Sequence, residues 1–294
     1  MIKKFFFAGI ALFFAVACSN KDMDDNNNSD QLVPVRVRVS DIAIGQSGFD
    51  TRASQALADY TGIKAITLAF YAGDTEVLKT TQLRSDGSTY TTFGEFSCSL
   101  PIGAYKMVVV ARGMSDGDVF VLTSPTEAGY TSERARETFC TTQDVSVTST
   151  AGLDLSVTLN RVIAKLVVVS TDAISAGVAQ MKTTYAAGGK SFSPATGLAI
   201  SNTGFAVTTS AGTTDGTHLN ISTYTFLATD EQTMDITIQA LDGSSNVLFT
   251  KVVEDVPLKR NRVTTLSGAI FTAPTSDAAF QVETSWLDGN SVDF

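Results

Sequence analysis

Histidine, tryptophan and cysteine are nearly missing from this sequence, with one His, one Trp and three Cys in 294 residues. A single imidazole excludes any centre that needs two or more, the usual hydrolytic zinc sites among them. Basic residues are outnumbered 21 to 30, and a net charge of −9 argues against a nucleic-acid partner, which would require a basic face. There is no G-x-G-x-x-G fingerprint. The nearest phosphate loop, Gly189-Lys190-Ser191, fails because Thr184 stands where its first glycine is required. No segment carries a long apolar stripe at 3.6-residue spacing, so a helical domain is not expected. Together these absences point to a protein with no catalytic residues, no metal site and no cofactor.

What remains is bulk suited to strands. Threonine alone accounts for 39 residues and apolar residues for 44%, while charge is limited to 17%. Branched side chains suit a pleated surface, and the apolar share can fill cores. The length is that of about two domains.

The N-terminus carries an address. Lys3 and Lys4 precede a short apolar run over 5–16, too short to span a bilayer comfortably, and small residues end in Ala17-Cys18. Residues 1–17 read as a secretory signal peptide. The Cys directly after a small residue resembles a bacterial lipobox, which makes Cys18 the lipidated N-terminus of the mature chain. Residues 18–31 form an acidic, Asn-rich tether with almost nothing to bury. Loss of 1–17 leaves 19 basic and 30 acidic residues, a charge of −11.

The rest reads as strand after strand. Residues 33–39 alternate apolar and polar, the period of a half-buried strand, and Pro34 suits a strand start or sheet edge. Residues 51–61 read as a linker with one helical turn. Strands are then expected over 65–71, 76–83, 94–100 and 104–112. Residues 124–142 read as a long surface excursion. Strands resume over 144–148 and 155–170, with Leu166-Val167-Val168-Val169 suited to burial on both faces. A helical turn is expected at 172–176. Further strands are expected over 178–185, 205–209, 219–228, 234–241, 247–253, 262–271 and 279–286. Turn signals every 8–12 residues are the mark of a sandwich or barrel. The expected fold is all-β, with an N-terminal β-sandwich domain over 32–159 and a C-terminal one over 160–294. The two halves share pattern but no detectable repeat.

Candidate chemistry is sparse. His218 reads as structural, Glu254 and Asp255 as solvated turn charges, and Lys259, Arg260 and Arg262 as a small basic cluster too limited to form a groove. Trp286 and Tyr224 are candidates for a sugar platform, with core packing the plainer reading. Cys98 and Cys140 can pair in an exported protein or stand as buried free thiols. Arg52, in Asp50-Thr51-Arg52-Ala53-Ser54, lies after the first strand, where a trypsin-like protease would release everything before Ala53.

Five stretches resemble the fimbrillin superfamily of Bacteroidales. They are the lipobox ending at Cys18, Thr51-Arg52-Ala53, and Ser99-Leu100-Pro101-Ile102-Gly103-Ala104-Tyr105-Lys106. Then come Leu159-Asn160-Arg161-Val162-Ile163-Ala164-Lys165-Leu166, and the run Val256-Pro257-Leu258-Lys259-Arg260-Asn261-Arg262-Val263-Thr264-Thr265-Leu266-Ser267-Gly268 before the final strand. The resemblance implies transthyretin-like sandwiches, a surface location on the outer membrane through lipid on Cys18, and a role as fimbrial subunit or anchor, the minor or anchor type favoured. It also implies other fimbrial subunits as partners, joined by exchange of β-strands, and adhesion to host or bacterial surface ligands. The leaving strand would be about 33–44. A surface lipoprotein that binds glycan or protein without polymerising is the alternative.

Overall fold

A computed structural model describes residues 31–44, 54–84, 92–148, 151–213, 215–272 and 281–286. The lipidation residue Cys18, the signal and tether, and the Arg52–Ala53 bond lie outside the described residues. Among those described, nineteen strands and one short 3₁₀ turn account for the regular structure.

The N-terminal set holds β1 (Leu32–Ala43), β2 (Ser54–Ala56), β3 (Ala65–Ala72), β4 (Thr75–Leu83), β5 (Glu95–Pro101), β6 (Gly103–Arg112), β7 (Phe120–Ser124), β8 (Glu127–Tyr130), β9 (Thr138–Val147) and β10 (Leu153–Arg161). Its main sheet runs β2-β1-β10-β9-β6-β3-β4, with β5 sharing the edge of β1 that β2 also uses, opposite β10. The link between β10 and β9 is only two residue pairs, Asn160 with Cys140 and Arg161 with Phe139. At that corner the sheet folds over itself. Val35, Phe96 and Val157 from one side meet Leu68, Met107 and Val145 from the other in a single apolar core.

The C-terminal set holds β11 (Ala164–Ala173), β12 (Gln180–Tyr185), β13 (Ser191–Phe192), β14 (Phe205–Ser210), β15 (His218–Thr225), β16 (Glu231–Leu241), β17 (Val247–Lys259), β18 (Arg262–Gly268) and β19 (Gln281–Trp286). Two four-stranded sheets, β15-β11-β18-β19 and β14-β12-β16-β17, enclose a second core around Leu166, Met181, Ile236, Ile238 and Leu266. The architecture is an all-β sandwich, as the turn spacing predicts.

The two sets have the same wiring. In the first, β1 runs parallel to β10 and antiparallel to β5, and β4-β3-β6-β9 form the facing layer. In the second, β11 runs parallel to β18 and antiparallel to β15, with β14-β12-β16-β17 opposite. The shared strand pattern seen in the sequence is thus a topological repeat.

A third cluster joins the sets. The β7–β8 hairpin pairs with β13, and beneath it Tyr71, Val110, Leu122 and Tyr130 pack with Ile163, Phe192 and Phe226. Phe192 and Phe226 stack with ring centroids 4.4 Å apart. This explains why β3 is buried along nearly its whole length: one face belongs to the first core and the other lies under the hairpin.

Several expectations are corrected. Residues 124–142 are not a surface excursion, because Ala128, Tyr130 and Ala135 are buried in the seam cluster, Phe139 in the first core, and Glu137 is buried as well. The stretch 155–170 is two strands, broken at Val162-Ile163 where the chain passes from one set to the other. Val167 and Val169 are half-covered rather than fully buried. No helical turn forms at 172–176; β11 runs to Ala173, and an irregular pair and a turn at Ala176-Gly177 follow. Glu254 and Asp255 lie inside β17 rather than in a loop, exposed at a bulge where Asp255 has a φ of 53°. The linker expected over 51–61 is a short strand and one 3₁₀ turn where it is described.

Candidate functional site

The feature that stands out is how β1 is seated. Val33, Val35, Val37 and Val39 point into the core while Leu32, Pro34, Arg36 and Arg38 face solvent. Alternating branched and charged residues favour a pleated strand with one wet face. Both edges are occupied: 32–38 pair with β5, 41–43 pair with β2, and 35–43 run parallel to β10. Pro34 sits one residue before the parallel ladder begins, where the absence of an N–H is tolerated.

Register changes once. Between Val39 and Asp41 the ladder with β10 skips a residue, leaving Ser40 as a bulge whose hydroxyl donates to the Val157 carbonyl at 3.4 Å. The bulge turns the buried face from odd to even positions, so Ile42 is fully buried. Gly94 closes the slot from the side. Its φ is 92°, its carbonyl accepts from the Val39 amide at 2.9 Å, and a Cβ there would lie 2.4 Å from Leu57 Cδ2. Any side chain at 94 would push against the wall of the slot. An exposed clip, Arg38 Nη2 to Glu95 Oε1 at 2.6 Å, spans β1 and β5.

At the end of the slot lies a buried cation. Arg161, the last residue of β10, places Nε 2.9 Å from Glu137 Oε1, and both side chains are almost wholly enclosed. Its Nη1 donates to the Ile44 carbonyl at 3.3 Å and to Asn261 Oδ1 at 2.8 Å. Its Nη2 donates to the Tyr60 hydroxyl at 3.2 Å, which in turn donates to Glu137, 2.7 Å away. Burial first, and then the adjacent Glu137 charge, push the Tyr60 hydroxyl well above the usual phenol range, so it stays an O–H donor. The guanidinium also lies over the Phe139 ring, 4.7 Å from its centroid. No sequence pattern gathers these residues, because they are up to 217 positions apart. The two stretches 159–166 and 256–268, separate in the chain, meet here.

Next to this network a cleft of about 610 Å³ opens, lined by Ala43, Thr141, Asn160, Thr196, Glu231 and Arg262 among others. The basic cluster sits on it, but its members are engaged: Lys259 pairs with Glu231, and Arg260 pairs with Asp230 at 2.6 Å.

Other candidates are placed apart. His218 starts β15, half-exposed, with Nδ1 2.7 Å from the Asp215 carboxylate. Tyr224 is buried in the seam and offers no sugar platform. Trp286 pairs through its backbone with Arg262. Cys98 and Cys140 are free thiols, one beside the first core and the other in the seam, and burial raises both above the usual thiol range. Among the described residues no cluster of His, Cys, Asp or Glu could hold a metal.

A protein-family profile described as "Family of unknown function (DUF6562)" matches residues 35–289. The chain belongs to that family. No curated protein matches it. Among solved structures, a candidate adhesin from Bacteroides ovatus superposes with a TM-score of 0.52 at 9% identity, covering 85% of this chain and 96% of that one. A second candidate adhesin from the same species gives 0.50 at 11% identity, covering 83% and 88%. The fimbrial anchor protein Mfa2 from Porphyromonas gingivalis gives 0.47 at 9% identity, covering 87% and 98%. At these identities the likeness is one of fold: this DUF6562 member shares the sandwich architecture of the two Bacteroides proteins. The two Bacteroides proteins are described as candidate adhesins, and what this chain shares with them is the fold.

Proposed function

We propose that this protein is a structural subunit or anchor of a surface fimbrium, assembled by β-strand exchange. The observation that carries the reading is the seat of β1: a strand with one apolar face, laid into a slot with ladders on both edges. Main-chain bonds along both edges supply affinity, and alternating apolar side chains supply register. Removing such a strand would expose a groove lined by Phe96, Leu100, Val157 and Leu159. Ten residues, 44–53, connect β1 to β2 and include Arg52, so cleavage before Ala53 would free β1 without cutting a described strand. The fold shared with candidate adhesins of Bacteroides is in keeping with a role in adhesion.

In this reading residues 1–17 are the signal peptide, lipid on Cys18 holds the chain at the outer membrane, and 18–31 act as the tether. The two sandwich domains, 32–159 and 160–294, are serial modules of the fibre or its base. Partners are other fimbrial subunits, with host or bacterial surface ligands at the exposed end. The anchor type is favoured: such a subunit keeps its lipid and its β1, while a polymerising one starts at Ala53.

Two measurements test it. Deleting 31–44 from the mature chain is expected to drive self-association through the emptied slot, and a monomeric, folded product would sink the exchange mechanism. The N-terminus of the protein as found on cells separates anchor from stalk: lipidated Cys18 marks the first, Ala53 the second. The polar cleft between the sets supports a second reading, a surface lipoprotein that binds glycan without polymerising. Absence from sheared fibres, together with glycan binding lost on Thr141→Arg, would favour it.

A further inference from the structure

Arg161 touches both the end of β1 and the C-terminal set. A single nitrogen, Nη1, donates both to the Ile44 carbonyl and to Asn261 Oδ1. Asn261 lies in the two-residue turn between β17 and β18, in the left-handed region with a φ of 60°, and its amide donates to the Ile163 carbonyl at 2.9 Å. That bond ties the turn to the crossover between the sets. Guanidinium is a rigid planar fork, so its nitrogens cannot move independently of one another. The rest of the fork is fixed by Glu137 and by Tyr60, both buried.

We propose that Arg161 is a positioning residue that couples the seating of β1 to the β17–β18 turn, so that the C-terminal set responds when the end of β1 leaves its slot. With Ile44 in place, Nη1 is held between two acceptors. When Ile44 withdraws, a donor of a buried cation loses its acceptor in a low-dielectric site. Leaving such a donor unmade is costly, and the guanidinium tilts toward the acceptors that remain. Asn261, partly exposed in its two-residue turn, is the movable one, because Glu137 and Tyr60 are buried. The turn therefore shifts, and the Asn261 amide loses protection. The adjoining cleft, lined by Ala43, Arg161 and Asn261, changes shape with it. The proposal rests on the reading of β1 as a strand that can leave.

Amide hydrogen exchange on the full mature chain tests it. Ile42→Ala removes a fully buried side chain next to Ile44 and loosens the end of β1. The expected result is exchange at the Asn261 amide about 10-fold or more faster than in the parent, a local opening rather than a global one. The Leu219 amide, which donates to Ser170 Oγ in the far sheet, is expected to stay unchanged. In the Arg161→Met, Glu137→Gln background, which retains bulk without the fork, Ile42→Ala should leave Asn261 exchange at its background rate. If that pair fails to fold, Arg161→Lys serves instead, since an ammonium keeps the charge but cannot span both acceptors while holding Glu137. Unchanged Asn261 exchange in Ile42→Ala, or an equal rise in either Arg161 background, overturns the coupling. A monomeric 31–44 deletion product would remove strand exchange and leave this result readable on its own terms.

Discussion

β1 and β11 occupy the same position in the repeated wiring, β1 parallel to β10 and antiparallel to β5, β11 parallel to β18 and antiparallel to β15. They differ in how they are attached. β11 follows β10 after only Val162 and Ile163, and its outer face is partly covered, with Lys165 buried 5.7 Å from the centroid of the Tyr224 ring. It cannot withdraw without pulling the seam apart. β1 is followed by ten residues before β2, and its outer face is wet. Equal topology thus holds one strand covered on both faces and one covered on a single face, the difference that the proposed strand exchange would use. The difference lies in covalent connection and in the burial of the second face, not in the ladders.

The sharpest break of this comparison places a charge under each strand. Val35→Asp and Val168→Asp each put a carboxylate at a site at most 1% exposed. An uncompensated buried charge costs about 3–5 kcal/mol. Val35→Asp is expected to unseat β1 and promote association while the C-terminal set keeps its protected amides. Val168→Asp should lose those amides altogether. Urea titration with exchange readout checks both, and identical behaviour of the two variants would contradict the contrast.

A second variant attacks the seam. A Cβ at Gly129 would lie 2.6 Å from Ser191 Cα, because β8 and β13 approach backbone to backbone. Gly129→Val is expected to cost about 1–3 kcal/mol by overpacking. Protease susceptibility should appear near 190–192, leaving the β1 slot intact.

Smaller effects follow. Asp172, just before the end of β11, accepts from the amides of Ile270, Phe271 and Thr272 at 2.9, 2.8 and 2.9 Å, fixing the chain after β18. Burial alone would raise this carboxyl, but the three amides outweigh it and hold it below the usual carboxylate range. A depressed folded value contributes stability above the unfolded value near 4, and that contribution is lost as pH falls through the folded value. Asp172→Asn should cost about 1 kcal/mol at neutral pH, modest because the carboxylate is largely solvated, and the gap to the parent should close in strong acid. Thermal melts across pH 2–7 read it. β1 has no carboxylate anchored on three amides; besides the bonds at Ser40 and Ile44 it has the exposed Arg38–Glu95 clip. Arg38→Ala is expected to change the unfolding midpoint by less than about 1 kcal/mol.

Much of the fold was legible because the signal was periodic. The alternation at 33–39 placed β1 and its buried face, and turn residues such as Gly73 and Leu241-Asp242-Gly243 marked where strands end. The bulge at Ser40 was also visible in principle, as a change of phase from Val39 to Ile42, but a phase change has no meaning without the partner strand that skips a residue. Residues 124–142 were misread because charge was taken for exposure. Glu137 and Arg136 are charged yet enclosed, held by Arg161 and by Asp118. A paired charge is compatible with burial, and only the partner reveals the pairing.

The sequence by itself determined that this chain builds β-sandwiches, that β1 has one apolar face, and that no centre needing two imidazoles can form within it. Those follow from composition and from the two-residue period, which are local. Tertiary structure alone decided that β1 and β11 are equivalent, that two distant motifs meet at Arg161, and that a hairpin seals the two sets together. Each depends on contacts between residues far apart in the chain, where closeness is set by how sheets twist, fold over and pack, and no local pattern encodes it.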